Sequence, residues 1–436
     1  MRIITLIYFF IVFKFTYPFC IRYMGFPDIK SVYVNLMLIG LFGLTLLKYP
    51  ANEHSSRVLP KYKMLFFVLL FIIIFSSIYN ETHWFIVMKT ISEYYFPYVF
   101  LFLIINRIKL SNQQEKKLIK LCYFLIAIQI PVVLLQYFVG GYSNPDSMSG
   151  TISPGMSGGT GINGVLGAFL FSLCMSKIMI TKVTISFLVM GLMAFVPSIF
   201  GGSKFGVILM PLVVFVLIFS FGFIGDNKGA KKIARYGVLI FILTIFIYFI
   251  LLVIIPGQRF AEFVNISLLT DPKAVLAYDS TIGSQRIWGY IFLVKYIFKD
   301  WINLLIGIGP GATEGSMEFG VEANKTYEAL FPLGAPDSIR FMATIGIIGL
   351  LLVIIIHFYG IVWIKKYLKI ETCPFMKMNG YAFISITIAC LASFTYTLVW
   401  ASQIGLTYWV LAGVFVKRYG VLMNDVSPGF KRISDS

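Results

Sequence analysis

Twelve apolar runs follow one another along the chain, at residues 3–17, 32–47, 64–79, 94–105, 121–139, 165–179, 183–200, 205–224, 238–255, 343–362, 381–398 and 404–416. Runs of this kind suit helices that cross roughly 30 Å of hydrocarbon. The pattern predicts an all-α, polytopic transmembrane bundle of twelve spans. Each run is apolar on every side, so no buried helical face is readable within it. The fourth and twelfth runs are short, which leaves room there for a broken helix. The polar gaps divide the chain into nine spans with short loops (1–255), one outer loop of 87 residues (256–342), and three final spans with a polar tail (343–436).

Composition supports this division. The 436 residues are 58% hydrophobic and only 13% charged, with a mean hydropathy of +0.86, outside the range of soluble globular chains. The net charge of +17 could signal nucleic acid, but most of it sits in short loops beside the apolar runs. With both termini placed in the cytoplasm, 24 of the 36 Lys and Arg residues fall on the inner side, and 7 of the remaining 12 lie in the long loop, whose length exempts it from the positive-inside rule. Inner basic residues of this kind meet anionic headgroups, and no nucleic-acid partner is expected. The first run follows Arg2 without a small-residue cleavage site and reads as an uncleaved anchor. The five cysteines show no CxxC spacing and none lies in the long loop, which supports neither a disulfide scaffold nor a zinc site.

Three outer segments are candidates for chemistry: "GGYSNPDSMSGTISPGMSGGTGING" at 140–164, "FGGSKFG" at 200–206, and the long loop, since loops of that length are usually functional. "GTGING", residues 159–164, has the letters of a dinucleotide fingerprint but no strand or βαβ unit around it. Its glycines are expected to let the backbone bend, or approach a ligand closely, before the sixth span. Between Trp288 and Trp301, Lys295 and Lys299 stand four apart in an apolar and aromatic run, the pattern of an amphipathic helix lying in the headgroup plane. The alternative is a fragment of the loop's own small core.

Arg286 precedes that run, and Arg259 and Arg340 stand near the two ends of the loop. A guanidinium carries a fixed charge on a planar fork that matches phosphate oxygens, whereas snorkelling toward the interface is the competing role for a basic side chain. Arg259 reads as an anchor, Arg286 and Arg340 as ligand contacts. Lys204, in its glycine-flanked turn, takes its interest from what it faces. Lys14, in the outer third of the first span, reads as a snorkelling cation with no assigned role. A general base would come from the nine carboxylates of the loop, Asp337 among them, because His54, His83 and His357 lie elsewhere in the chain. No DxD pair is present to hold a nucleotide-sugar metal.

In this order, "GTGING", "GGSKFG", "QRIWGYIF", "IGIGPG" and "APDSIRFMATIGIIG" resemble the motif series of bacterial O-antigen polymerases of the Wzy type and O-antigen ligases, over residues 159–350. The resemblance implies a GT-C-like glycosyltransferase membrane fold in the bacterial inner membrane, with its active face toward the periplasm. It also implies transfer of a growing glycan from undecaprenyl diphosphate to the sugar hydroxyl of another lipid-linked repeat unit. Carried across residue by residue, the family's basic positions fall on Lys204 and Arg286, and its glycine turn on Gly307, Gly309 and Gly311. On this basis Arg286 and Asp337 are the expected catalytic residues, Asp337 as base or acceptor-positioning group, while Lys204, Arg340, Gly309 and Gly311 bind substrate. No metal or other cofactor is demanded, because Arg and Lys can stabilise the departing diphosphate. The implied partners are undecaprenyl-diphosphate-linked oligosaccharide, membrane lipid and a chain-length regulator protein.

The ligase branch carries His-Asn at the closing motif, where this chain has Ala335 and Pro336. That departure favours polymerase over ligase. A lipid-linked oligosaccharide flippase would predict inverted repeats and mid-membrane charges, which the sequence does not display. A glycosyltransferase using polyprenyl-monophosphate sugars has Asp28 in "GFPDIK" as its sole support.

Overall fold

The computed structural model describes residues 3–27, 31–49, 58–139, 150–152, 159–181, 184–200, 203–222, 227–254, 285–310, 325, 327 and 335–431. Its helices are α1 (Ile3–Met24), α2 (Ser31–Lys48), α3 (Val58–Tyr79), α4 (Trp84–Thr90), a π-helical turn (Ile91–Tyr95), α5 (Val99–Arg107), α6 (Asn112–Ala127), α7 (Gln129–Phe138) and α8 (Gly159–Ile180). They continue as α9 (Ile185–Met193), α10 (Val196–Phe200), α11 (Lys204–Gly222), α12 (Asn227–Ile254), α13 (Gln285–Phe292), a second π-helical turn (Leu293–Ile297), α14 (Trp301–Ile306), α15 (Asp337–Ile370), α16 (Pro374–Ser393) and α17 (Gln403–Lys431). No strand occurs among the described residues.

Six of these helices are long and apolar enough to cross a membrane: α1, α3, the α6–α7 rod, α8, α15 and α16. The shorter apolar stretches Tyr33–Lys48, Ile185–Phe200 and Phe205–Ser220 accompany them. The sequence's fourth run, residues 94–105, is broken: it holds the end of the first π turn and most of α5, with residues 96–98 between them. Large apolar side chains point outward along whole helix faces, such as Phe67, Phe71 and Phe75 on α3 and Ile242, Phe246 and Phe249 on α12. Faces of that size are compatible with hydrocarbon rather than water, and they mark a membrane protein.

α8 and α16 are the most buried of the six. Close packing in lipid needs small residues, because the hydrophobic effect does not drive one helix onto another there. A Cβ on Gly206 of α11 would lie 2.7 Å from the Gly164 Cα of α8, and one on Gly167 would lie 2.5 Å from the Ala194 carbonyl oxygen. "GTGING" therefore forms the first turns of α8 rather than a loop ahead of it, and Gly164 admits a neighbouring helix rather than a ligand. α6 starts on a capping box: Gln114 N–H donates to Ser111 Oγ at 3.3 Å, and Ser111 N–H to Gln114 Oε1 at 2.8 Å.

The expected helix across Lys295 and Lys299 is interrupted. α13 runs through the second π turn and stops at Ile297, where Phe298 is extended. Asp300 then caps α14, accepting from the Asn303 amide at 2.7 Å. Lys299 lies in the break, so the two lysines share no continuous helical face. Leu293 and Ile297 pack with Ile339, Met342 and Ala343 of α15 in a small core, while Ile291, Val294 and Tyr296 face outward. The segment thus contributes to a loop core on one side and leaves an apolar face on the other.

The two ends of the bundle differ in chemistry. At one end, Arg418 of α17 donates to both oxygens of Glu371, to Asn112 Oδ1 and to Glu115 Oε2, and Lys417 Nζ donates to the Ile108 carbonyl. The other end gathers the outer motifs picked out from the sequence.

Candidate functional site

Three helix ends meet at that second end, the start of α15, the end of α16 and the start of α17, and unpaired backbone groups are satisfied across the junction. The first amides of any α-helix lack intrahelical acceptors, and the last carbonyls lack donors. α15 begins after Pro336 without a side-chain cap. Its Ser338 amide donates to Phe394 O at 3.0 Å and its Asp337 amide to Thr397 O at 3.4 Å, both just past the end of α16. In the opposite direction, Asp337 Oδ2 accepts from the amides of Val399 and Trp400, each at 2.6 Å. The non-helical stretch 394–402 is held in this way between α16 and α17. Irregular backbone within a membrane bundle persists only where protein or a cavity takes up its polar groups.

Asp337, a candidate catalytic group, is only 2% exposed, and one carboxylate oxygen is engaged by two backbone donors. These bonds tie it to residues 399 and 400. Arg340, one turn further on, places its guanidinium 4.1 Å from the centroid of the Tyr94 ring. Tyr95 shares a hydrogen bond with Thr344 Oγ1 and accepts at its carbonyl from Trp400 Nε1. The π turn, the start of α15 and the 394–402 stretch therefore form one polar assembly.

The glycine turn after α14 is built onto the same helix. Gly346 has φ +66° and ψ −171° and kinks α15, which frees carbonyls on its N-terminal side. The Ile308 amide donates to Ala343 O at 2.8 Å and the Gly309 amide to Thr344 O at 3.1 Å. Ser76 Oγ reaches the Thr344 and Gly307 carbonyls at 3.1 and 3.3 Å, and Asn80 Nδ2 reaches Gly307 O at 3.1 Å. Gly307 and Gly309 have φ of +78° and +84°, a region that strains any residue with a Cβ. Gly309, expected to bind substrate, gives its amide to the kink, and a Cβ there would lie 2.4 Å from Thr82 Oγ1. Gly311 lies outside the described residues.

Arg286 sits in α13, whose Tyr290 hydroxyl bonds Ser338 Oγ at 2.5 Å, next to Asp337. Burial raises the Tyr290 phenol pKa above its ordinary value. Lys204 opens α11; the next residue, Phe205, stacks on Tyr396 with ring centroids 4.4 Å apart. A Cβ on Gly161 would touch Tyr396 and Thr397. "GTGING", "GGSKFG" and "APDSIR" thus all meet the 394–402 stretch, and α13, with Arg286, joins it through Ser338. Arg259 lies outside the described residues.

That stretch, "FTYTLVWAS", carries no charge and its first half falls inside the apolar run 381–398, whereas the helix ends at Ser393, so sequence reasoning missed it as a functional element. Its aromatic content was the available signal. His357, set aside as distant in sequence, folds beneath Trp400 with ring centroids 5.3 Å apart. It is buried among Phe394, Tyr408 and Trp409, with Nδ1 2.9 Å from the Val353 carbonyl, the environment of a core histidine. Lys14 does not extend freely to solvent: it is partly buried, within electrostatic reach of Glu93, and its carbonyl accepts from Gln403 Nε2 at 3.0 Å. Among the described residues, no three His, Cys, Asp or Glu side chains gather as a metal site would require.

No protein-family model matches the chain, and no curated protein matches it.

Proposed function

We propose that the protein is a surface-polysaccharide polymerase of the O-antigen type. On this reading it lies in a bacterial inner membrane with both termini cytoplasmic. At its periplasmic end it transfers a growing glycan from undecaprenyl diphosphate to the sugar hydroxyl of a second lipid-linked repeat unit. The observation that carries the reading is the meeting of "GTGING", "GGSKFG" and "APDSIR" at residues 394–402, with "QRIWGYIF" and "IGIGPG" docked on the first turns of α15 beside them.

In this mechanism the departing diphosphate gathers negative charge as the anomeric carbon is attacked, and fixed cations stabilise it in the transition state. Arg286 and Lys204 take that role, with Arg340 as a third cation. Asp337 orients the 399–400 backbone of the site. The acceptor is a second lipid-linked repeat, so both substrates enter from the surrounding lipid, and a chain-length regulator acts on the same face.

Deleting the gene tests the reading. A polymerase predicts lipopolysaccharide capped with single repeats. Complete loss of capped core would indicate a ligase, and accumulation of repeats on the cytoplasmic side would indicate a flippase. Arg286→Ala in the complemented strain is expected to reproduce the single-repeat phenotype; unaltered chain length would remove Arg286 from the site.

A further inference from the structure

The end of the bundle opposite the candidate site holds a cavity of about 420 Å³, lined by Ile3, Ile4, Lys48, Ile108, Lys109 and Gln114 together with Tyr49. Its place is fixed by Ile108, whose carbonyl accepts from Lys417 Nζ, next in sequence to the Arg418 that pairs with Glu371. Cavities that hold small ligands span roughly 300–1,000 Å³. This one opens where two helices part: α1 packs on α6 and α17, whereas α2 packs on α5 and the first π turn. The start of α1 and the end of α2 therefore stand on either side of it. Its walls are tied down. Arg107 Nε donates to the Tyr49 carbonyl at 2.6 Å, the Tyr8 hydroxyl donates to the Gln114 carbonyl at 3.4 Å, and the Gln114 side chain is committed to the α6 capping box.

The lining is amphiphilic. Three isoleucines form its apolar part, Lys48 and Lys109 are both exposed, and no Asp or Glu stands among the described residues that line it. Helices that cross the hydrocarbon end at headgroup level, which is where the cavity lies. Lysine binds phosphate as a compact point charge, and basic pockets between membrane helices take up anionic lipid headgroups. A free phosphate would need only the two ammonium groups. Tyr33, Met37, Leu44 and Lys48, however, recur along one face of α2, and all four are exposed. An apolar track thus leads from Lys48 along the helix, as the acyl chains of a lipid require.

We propose that this cavity binds the phosphate of an anionic phospholipid, with Lys48 and Lys109 as its cationic contacts and the acyl chains laid along α2. The two charges select an anionic headgroup over a zwitterionic one, and the isoleucines receive the glycerol end of the chains. Binding there does not depend on the polymerase reading.

The test is native mass spectrometry of the full-length protein in detergent, titrated with dioleoylphosphatidylglycerol or dioleoylphosphatidylcholine at matched concentrations. Wild type is expected to hold one phosphatidylglycerol about 30-fold more tightly than phosphatidylcholine, the scale of two lysines beside an anionic headgroup. Lys48→Gln combined with Lys109→Gln is expected to abolish that preference, and each alone to reduce it about 5-fold. Ile4→Trp, which keeps both lysines but fills the cavity, is expected to lose the same lipid. Lys231→Gln combined with Lys232→Gln makes the same change of charge on exposed positions of α12, which packs on α8, α9 and α11, and is expected to keep it. Equal loss in the α12 pair would assign binding to diffuse surface charge and overturn the proposal, as would an undiminished preference in the cavity pair. If the cavity pair does not reach the membrane, the single variants decide by the same criterion. Retention of the lipid by Ile4→Trp would place the headgroup outside the cavity and overturn the site. Inorganic phosphate in millimolar excess is expected to leave the bound lipid in place; its displacement would make free phosphate the occupant and overturn the lipid assignment.

Discussion

Asp337 accepts the amide hydrogen of Trp400 across 63 residues of sequence, at 2.6 Å. The same oxygen accepts from Val399, so one carboxylate holds the turn between α16 and α17 against the start of α15. Hydrogen bonds to a charged acceptor contribute about 1.5–3 kcal/mol each. Asp337→Ala leaves two buried amides without an acceptor and is expected to destabilise the protein by about 3 kcal/mol. Asp337→Asn keeps an oxygen in place and is expected to cost about half as much. Thermal unfolding of the detergent-solubilised protein measures both, and equal stability of Asp337→Ala and wild type would show that the turn is held by other contacts.

Gly346 and Gly307 are packed against each other's strands of backbone: a Cβ on Gly346 would sit 2.2 Å from Leu305 O, and one on Gly307 would sit 2.3 Å from the Thr344 carbonyl carbon. Both also have positive φ. Gly25 has a similar φ of +67° but nothing within 4 Å of its Cβ position, which separates conformational strain from collision. Gly25→Ala is expected to cost about 1–2 kcal/mol. Gly346→Ala and Gly307→Ala add a backbone clash to that strain and are expected to lower the unfolding temperature further, or to abolish membrane accumulation.

Much of this arrangement was legible in the sequence, though not its purpose. "IGIGPG" and "GIIG" announced glycines where backbone conformation matters, yet only folding shows that Gly307 and Gly309 dock on the kink made by Gly346. In "GTGING" and "GGSKFG" the glycines suggested close approach; the partner is a helix, because the backbones of α8 and α11 meet at Gly164 and Gly206. The Trp288–Trp301 run read as one amphipathic helix because its hydrophobic spacing continues past Lys299. Asp300, a good N-cap followed by the short apolar run of α14, was the overlooked signal of a new helix. Residues 394–402 were missed for a different reason: they overlap and follow an apolar run, and their significance comes from Asp337, more than 60 positions away, and from Gly161 and Phe205 further off.

The Arg340–Tyr94 contact distinguishes a planar cation from a point charge. A guanidinium stacked on an aromatic face gains about 0.5–2 kcal/mol, and lysine reproduces neither the plane nor the fork. Tyr94→Phe is expected to match wild type in thermal stability, whereas Tyr94→Leu loses about 1 kcal/mol. In an Arg340→Lys background, Tyr94→Leu is expected to have a smaller effect than in wild type. A double-mutant cycle on unfolding midpoints tests this, and additive losses would mean that the ring and the guanidinium act independently.

Glu371, at the opposite end of the bundle, provides the pH dependence. Burial opposes its ionisation, but hydrogen bonds from Arg418, the Cys373 amide and the Tyr367 hydroxyl outweigh burial and hold its carboxyl below the ordinary value of 4.5. A group whose folded value is depressed contributes stability that is fully present above its unfolded value and is lost as the pH falls through the folded one. The wild-type unfolding temperature is therefore expected to decline from roughly pH 5 downward. Glu371→Gln leaves Arg418 with an incomplete set of buried partners and is expected to unfold earlier at pH 7, by about 3 kcal/mol. Its acid limb is expected to be shallower, so the two curves approach each other at low pH. Parallel curves across that range would assign the acid sensitivity to other carboxylates.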